Sequence, residues 1–98
     1  MNQMNLQRPK TIFVDFDGTL YKSGDIDAAL VAWLRARKEE GYELTLWSMA
    51  GAERANGVVE RAGLSGLFAR VITKPGFIVD DQGWKWTAYT MDATEVAK

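Results

Sequence analysis

The stretch Thr11-Ile12-Phe13-Val14-Asp15-Phe16-Asp17-Gly18-Thr19-Leu20 decides how the rest of the chain is read. Its first half is apolar, β-branched and aromatic, the composition of a strand buried on both faces. The run then stops at two carboxylates with one residue between them. If the strand continues that far, alternation puts Asp15 and Asp17 on the same side. Two like charges so close repel, and burying them costs several kcal/mol unless a cation is present. Gly18 permits a sharp turn just past them, and Thr19 adds a hydroxyl. The stretch therefore reads as a strand delivering an acidic pair to a cation site. A competing reading takes Asp17-Gly18 as a short hairpin turn, with Thr19-Leu20-Tyr21 as the return strand. That alternative leaves Asp15 in a strand interior, where Asp is disfavoured.

Bulk properties narrow the options. A chain of 98 residues, 47% of them hydrophobic, is expected to form one small domain with a single core. The formal net charge of -1 provides no overall field toward nucleic acid or an anionic membrane. No apolar run approaches membrane-spanning length. Residues 1–10 read as a polar lead-in without a secretory core, so a cytoplasmic location is the default expectation. Cysteine and histidine are both absent. Disulfides, thiolate chemistry and Ser-His-Asp or Cys-His nucleophile systems are thereby excluded. A metal here would sit among oxygen ligands, which favours a hard cation, Mg²⁺ first.

Beyond the opening strand, Ser23-Gly24-Asp25 supplies turn residues, and Asp25 is the expected N-cap of a helix. Ile26, Ala29, Leu30, Trp33 and Leu34 recur at helical spacing, and Gly41 follows the basic end of that helix. Tyr42 to Trp47 reads as a second strand closed by Ser48. A second helix starts at Ala52, with Ala55, Val58, Val59 and Ala62 inward and Glu53, Arg54, Glu60 and Arg61 outward. Leu64, Leu67 and Phe68 are expected beneath the sheet edge. Arg70 to Thr73 reads as a third strand leading to Lys74-Pro75-Gly76, and Phe77-Ile78-Val79 as a fourth ending in Asp80-Asp81. The aromatic segment Trp84 to Tyr89 reads as a fifth strand or packed loop, its two tryptophans closing the core, lining the site or meeting a second copy. The end from Asp92 is expected to fray.

This order predicts an α/β domain with a mostly parallel sheet. Ligands of such sheets bind outside the carboxyl ends of the strands. Asp15, Asp17, Ser48, Lys74, Asp80 and Asp81 all fall on that rim, each closing an apolar run or following one. Carboxylates, a hydroxyl and an ammonium around a hard cation suit phosphoryl transfer. With no Cys, His or activated serine, the available nucleophile is a carboxylate. Attack by Asp15 would give an aspartyl-phosphate, and Asp17 would serve as acid and then base. Ser48, Lys74 and backbone N–H groups after the first strand, that of Gly18 among them, would hold the phosphate.

Asp15-Phe16-Asp17-Gly18-Thr19-Leu20 resembles the DxDGT(L) signature of the haloacid dehalogenase-like (HAD) phosphatases. Ser48, Lys74 and Asp80-Asp81 are similar, in order, to that superfamily's second, third and fourth motifs, so the resemblance spans Thr11 to Asp81. It implies a Rossmann-like three-layer domain whose first strand is central, flanked by the strands ending in Ser48 and Asp80. It also implies Mg²⁺ held by the Asp15 carboxylate, the Asp17 main-chain carbonyl and an acidic residue of the fourth motif, Asp80 first and Asp81 next. Two departures stand out. Only Pro75, Gly76 and the fourth strand separate Lys74 from Asp80, which leaves one sheet face thinly covered. Neither the Thr19–Asp25 link nor the Lys74–Phe77 link has room for a cap domain. The capless pattern implies an open site for a bulky or macromolecular phosphoester, such as a nucleic-acid end, or a site completed by a partner subunit in a homo-oligomer.

Two other classes compete. A binding or regulatory module could keep this fold without useful turnover. A phosphoacceptor receiver domain also uses an acidic pair, a Ser/Thr and a Lys around Mg²⁺. Its phosphoacceptor closes a strand in mid-chain, however, and no acidic strand end lies between Asp17 and Asp80 here.

Overall fold

The computed structural model describes residues 10–83, 85–87 and 90–96, the side chain of residue 93 excepted. Strand β1 (Thr11–Asp15) is followed by β2 (Tyr21–Lys22), β3 (Asp25–Ile26) and helix α1 (Ala28–Glu39). Then come β4 (Glu43–Ser48), α2 (Ala52–Arg61), β5 (Arg70–Thr73) and a short α3 (Ala93–Val96). Strands β1, β4 and β5 form a three-stranded parallel sheet in that order, with Asp15 opposite Trp47 and Ser48 opposite Thr73. The register brings the carboxyl ends of all three strands to one rim.

Both crossovers step in the same direction across the sheet, and right-handed connections put α1 and α2 on the same face. Burial follows that geometry. Val14, Leu44 and Leu46 are buried on the helical side, while Phe13, one residue out of phase, is 45% exposed. Phe13 meets Trp47 edge-on at 4.6 Å between ring centroids on the other side. Among the described residues the domain is thus a two-layer α/β sandwich, where three layers were expected. The core is closed by Leu30 and Leu34 from α1, Ala55, Val58 and Val59 from α2, and Leu64, Leu67 and Phe68 beyond it. Each of these leucine, valine and phenylalanine side chains contributes about 1.5–3 kcal/mol by leaving water. No described helix is long and apolar enough to cross a membrane.

Several local expectations change. Asp27, not Asp25, caps α1, its carboxylate accepting the Leu30 N–H at 3.0 Å. Asp25 instead belongs to the small antiparallel ribbon β2–β3, whose two-residue loop is Ser23-Gly24. Both loop residues have positive φ, 53° and 83°, as the hairpin turn matched to strand twist requires. A hairpin therefore exists, but one turn later than the Asp17-Gly18 reading placed it. Asp17 makes an isolated bridge with Tyr21 instead.

The fourth strand does not form. Phe77, Ile78 and Val79 carry no strand pairing, and Phe77 and Val79 are 88% and 94% exposed. The reason is chain length. A parallel neighbour for the sheet needs a crossover of about a dozen residues, whereas only Lys74-Pro75-Gly76 separates the end of β5 from Phe77. As a result β1 lies at an edge of the described sheet rather than at its centre, and β4 takes the central place. Trp84, Ala88 and Tyr89, the heart of the expected fifth strand, lie outside the described residues, as does the lead-in 1–9; Trp86 is 42% exposed.

Candidate functional site

The rim carries two small clusters built alike, each a carboxylate, a hydroxyl and a cation. In the first, Asp15 closes β1. Thr19 Oγ1 donates to its Oδ2 at 2.9 Å, and Lys74 Nζ stands 3.6 Å from its Oδ1. The tight turn after β1 makes the Thr19 contact possible, since Thr19 N–H bonds the Phe16 carbonyl and Leu20 N–H the Asp15 carbonyl. Lys74 is held from two directions: its N–H bonds the Ser48 carbonyl at 2.8 Å and its ammonium lies 5.7 Å from the Trp47 ring centroid. The short segment after β5 therefore does aim Lys74 at Asp15.

In the second cluster Asp17 has left the strand and turns toward β4 and α2. Its Oδ2 accepts the Ser48 hydroxyl at 3.2 Å, and its Oδ1 takes Arg54 Nη1 at 2.7 Å. Ser48 is fully buried, and its Oγ accepts the Ala50 N–H at 3.1 Å, which fixes the hydroxyl at the mouth of α2. That helix begins after Gly51, whose φ of 115° only glycine adopts without strain. The Ala52 N–H is taken by Thr73 Oγ1 at 3.1 Å, tying the helix start to the end of β5.

The repulsion between Asp15 and Asp17 is thus relieved by two side-chain cations, one on each carboxylate. Asp15 is 35% exposed and Asp17 45%, so both face the solvent at an open rim. The structure brings Asp15, Asp17, Ser48 and Lys74 together, as the strand ends imply. The Gly18 N–H is already engaged, bonding the Tyr21 carbonyl at 3.0 Å. Asp80 and Asp81 are not gathered with the other carboxylates. Asp80 Oδ1 caps its own turn by accepting the Gln82 N–H at 2.8 Å. Among the described residues no group of three or more carboxylates stands together as a metal cage would require.

Mg²⁺ does not need such a cage. It keeps several waters and commonly rests on one or two carboxylates plus substrate oxygens. The Asp15 carboxylate and the oxygens of Asp17 fit that donor set, with no cysteine or histidine to favour a softer ion.

None of the family models, curated proteins or solved structures compared with the chain matches it. The site's chemistry therefore stands on its own geometry.

Two members of the site were not singled out from sequence. Thr19 was visible only as a hydroxyl near the acidic pair. Arg54 sat among the outward positions of α2, and nothing local distinguishes it from a solvated helix residue. Its placement two residues into a helix that starts at the rim is the signal that was available.

Proposed function

We propose that the chain is a Mg²⁺-dependent phosphomonoester hydrolase of the HAD type, acting through an aspartyl-phosphate at an open, capless site. The observation that carries this reading is the convergence of Asp15, Asp17, Ser48 and Lys74 from three chain segments onto one rim, where Lys74 meets Asp15, Ser48 meets Asp17, and the Lys74 N–H bonds the Ser48 carbonyl. In the first step Asp15 Oδ attacks phosphorus and the bond from phosphorus to the ester oxygen breaks. Asp17 gives its proton to the departing alkoxide. In the second step Asp17 takes a proton from water, which attacks the same phosphorus and frees the Asp15 carboxylate. Lys74 and Ser48 exchange their carboxylate partners for phosphate oxygens, and Thr19 keeps Asp15 aimed. Bound Mg²⁺, held by Asp15 and the Asp17 main-chain carbonyl, would offset the negative charge of nucleophile and phosphate.

The open rim suits a bulky phosphoester, nucleic-acid ends included, or completion by a second copy. One observation favours a second reading, a binding or regulatory module with little turnover. Both carboxylates are already paired internally. A screen with Mg²⁺ over sugar phosphates, nucleotides and 3′- or 5′-phosphorylated oligonucleotides, run beside Asp15→Asn, separates the two. Steady phosphate release that the variant abolishes is expected. Release that survives in Asp15→Asn, or none from any ester, rejects the hydrolase.

A further inference from the structure

We propose that Arg54 is a positioning residue for Asp17, and this rests on the hydrolase reading above. Helix periodicity assigns Arg54 to the solvent face of α2, yet its guanidinium turns back over the rim. Nη1 lies 2.7 Å from Asp17 Oδ1, and Cζ lies 5.3 Å from the Phe16 ring centroid and 5.8 Å from that of Tyr21. Those two rings are stacked at 5.2 Å with 11° between their planes, so they form one aromatic wall beside the cation. Phe16 is fully buried, which makes the wall a fixed reference.

Stability does not account for this arrangement. The arginine side chain is 48% exposed and that of Asp17 45%, and ion pairs so wet contribute little. What the pair supplies is direction. Asp17 lies beyond the end of β1, immediately before Gly18 at φ 79°. Among the described residues, two side chains hold its carboxylate: Ser48 on Oδ2 and Arg54 on Oδ1. Once Ser48 turns to the phosphate, Oδ2 is left to carry the proton while Arg54 on Oδ1 still fixes the direction of the carboxyl group, and proton transfer to a leaving oxygen depends on that direction. The guanidinium fits the task better than an ammonium, because its flat fork can lie along aromatic faces while donating in plane.

The test compares two esters that make different demands on Asp17. p-Nitrophenyl phosphate releases a stabilised phenolate needing little protonation, whereas an alkyl phosphate releases an alkoxide that needs a proton. In Arg54→Ala, kcat on the alkyl ester is expected to fall on the order of 10²-fold, the cost of a misplaced catalytic group. With p-nitrophenyl phosphate it falls only a few-fold, and the melting temperature stays within a few degrees of wild type. Arg54→Lys, which keeps the charge and loses the fork, should recover part of the alkyl-ester rate. Equal losses on both esters, or no loss on either, overturn the role of Arg54 while the hydrolase stands. The alkyl ester used is the best alkyl substrate of the screen above; a wild type that releases phosphate from no ester of that screen removes the hydrolase reading, and the proposal with it.

Discussion

Replacing Ser48 by Ala isolates the hydroxyl that joins the two ends of the site. The side chain is fully buried, and losing one oxygen opens no cavity of consequence, so the cost is set by hydrogen bonds. Two are lost, the donation to Asp17 Oδ2 at 3.2 Å and the acceptance from the Ala50 N–H at 3.1 Å. A bond to a charged group contributes about 1.5–3 kcal/mol and a neutral one about 0.5–1.5 kcal/mol. The first is discounted here, because it is longer than the usual hydroxyl–carboxylate contact and Asp17 is 45% exposed to replacement water. The sum expected is therefore about 1–2 kcal/mol. For a domain of this size each kcal/mol lowers the melting temperature by about 4–8 °C, so a drop of roughly 5–15 °C is expected. Thermal melts followed by circular dichroism measure it. The double variant Ser48→Ala/Asp17→Ala should lose less than the two single changes added, because both remove the same bond. A shift below about 2 °C, or strict additivity, would refute the contact and the reasoning built on it.

Other expectations follow from the same geometry. Asp17→Asn should retain most of its Mg²⁺ affinity by calorimetry, since the proposed ligand atom is main-chain, while turnover falls about 10²–10⁴-fold; weakened metal binding with turnover preserved would reverse that role. Lys74→Ala removes the ammonium beside Asp15 and should weaken inorganic phosphate binding about 10–100-fold, the worth of one charged hydrogen bond; unchanged phosphate affinity would place Lys74 outside the site. Leu34→Ala empties a fully buried position of α1 and should cost about 2–5 kcal/mol in denaturant unfolding. A loss near zero there would mean that α1 does not pack on the sheet as described.

The elements that the sequence made legible are those whose pattern is local and whose partners are apolar. β5 spans Arg70–Thr73, as its short β-branched run suggests, and Leu30, Leu34, Val58 and Val59 face the core as helical spacing requires. Phe77-Ile78-Val79 shows the limit of composition. Three strand-forming residues cannot enter a parallel sheet when only three residues link them to the preceding strand, and connection length outweighs β-propensity there. Asp25 does not cap the helix because the Ser23-Gly24 loop folds a ribbon before it and moves the cap to Asp27. In the site, the strand ends announced Asp15, Ser48 and Lys74, since register alone brings carboxyl termini together. Arg54 was not legible because a long side chain's target depends on where its helix starts relative to a different strand. The fourth-motif acids, Asp80 and Asp81, depended on a strand that does not form.

The central claim is that Asp15 carries the phosphoryl group covalently. Mixing the protein with Mg²⁺ and a substrate ester, quenching in acid within the first turnovers and reducing with borohydride converts an aspartyl-phosphate to homoserine, which peptide mass spectrometry locates. The account predicts homoserine at position 15 alone, absent without ester and absent in Asp15→Asn. Phosphate release with Asp15 unmodified, or homoserine at another position, would contradict it.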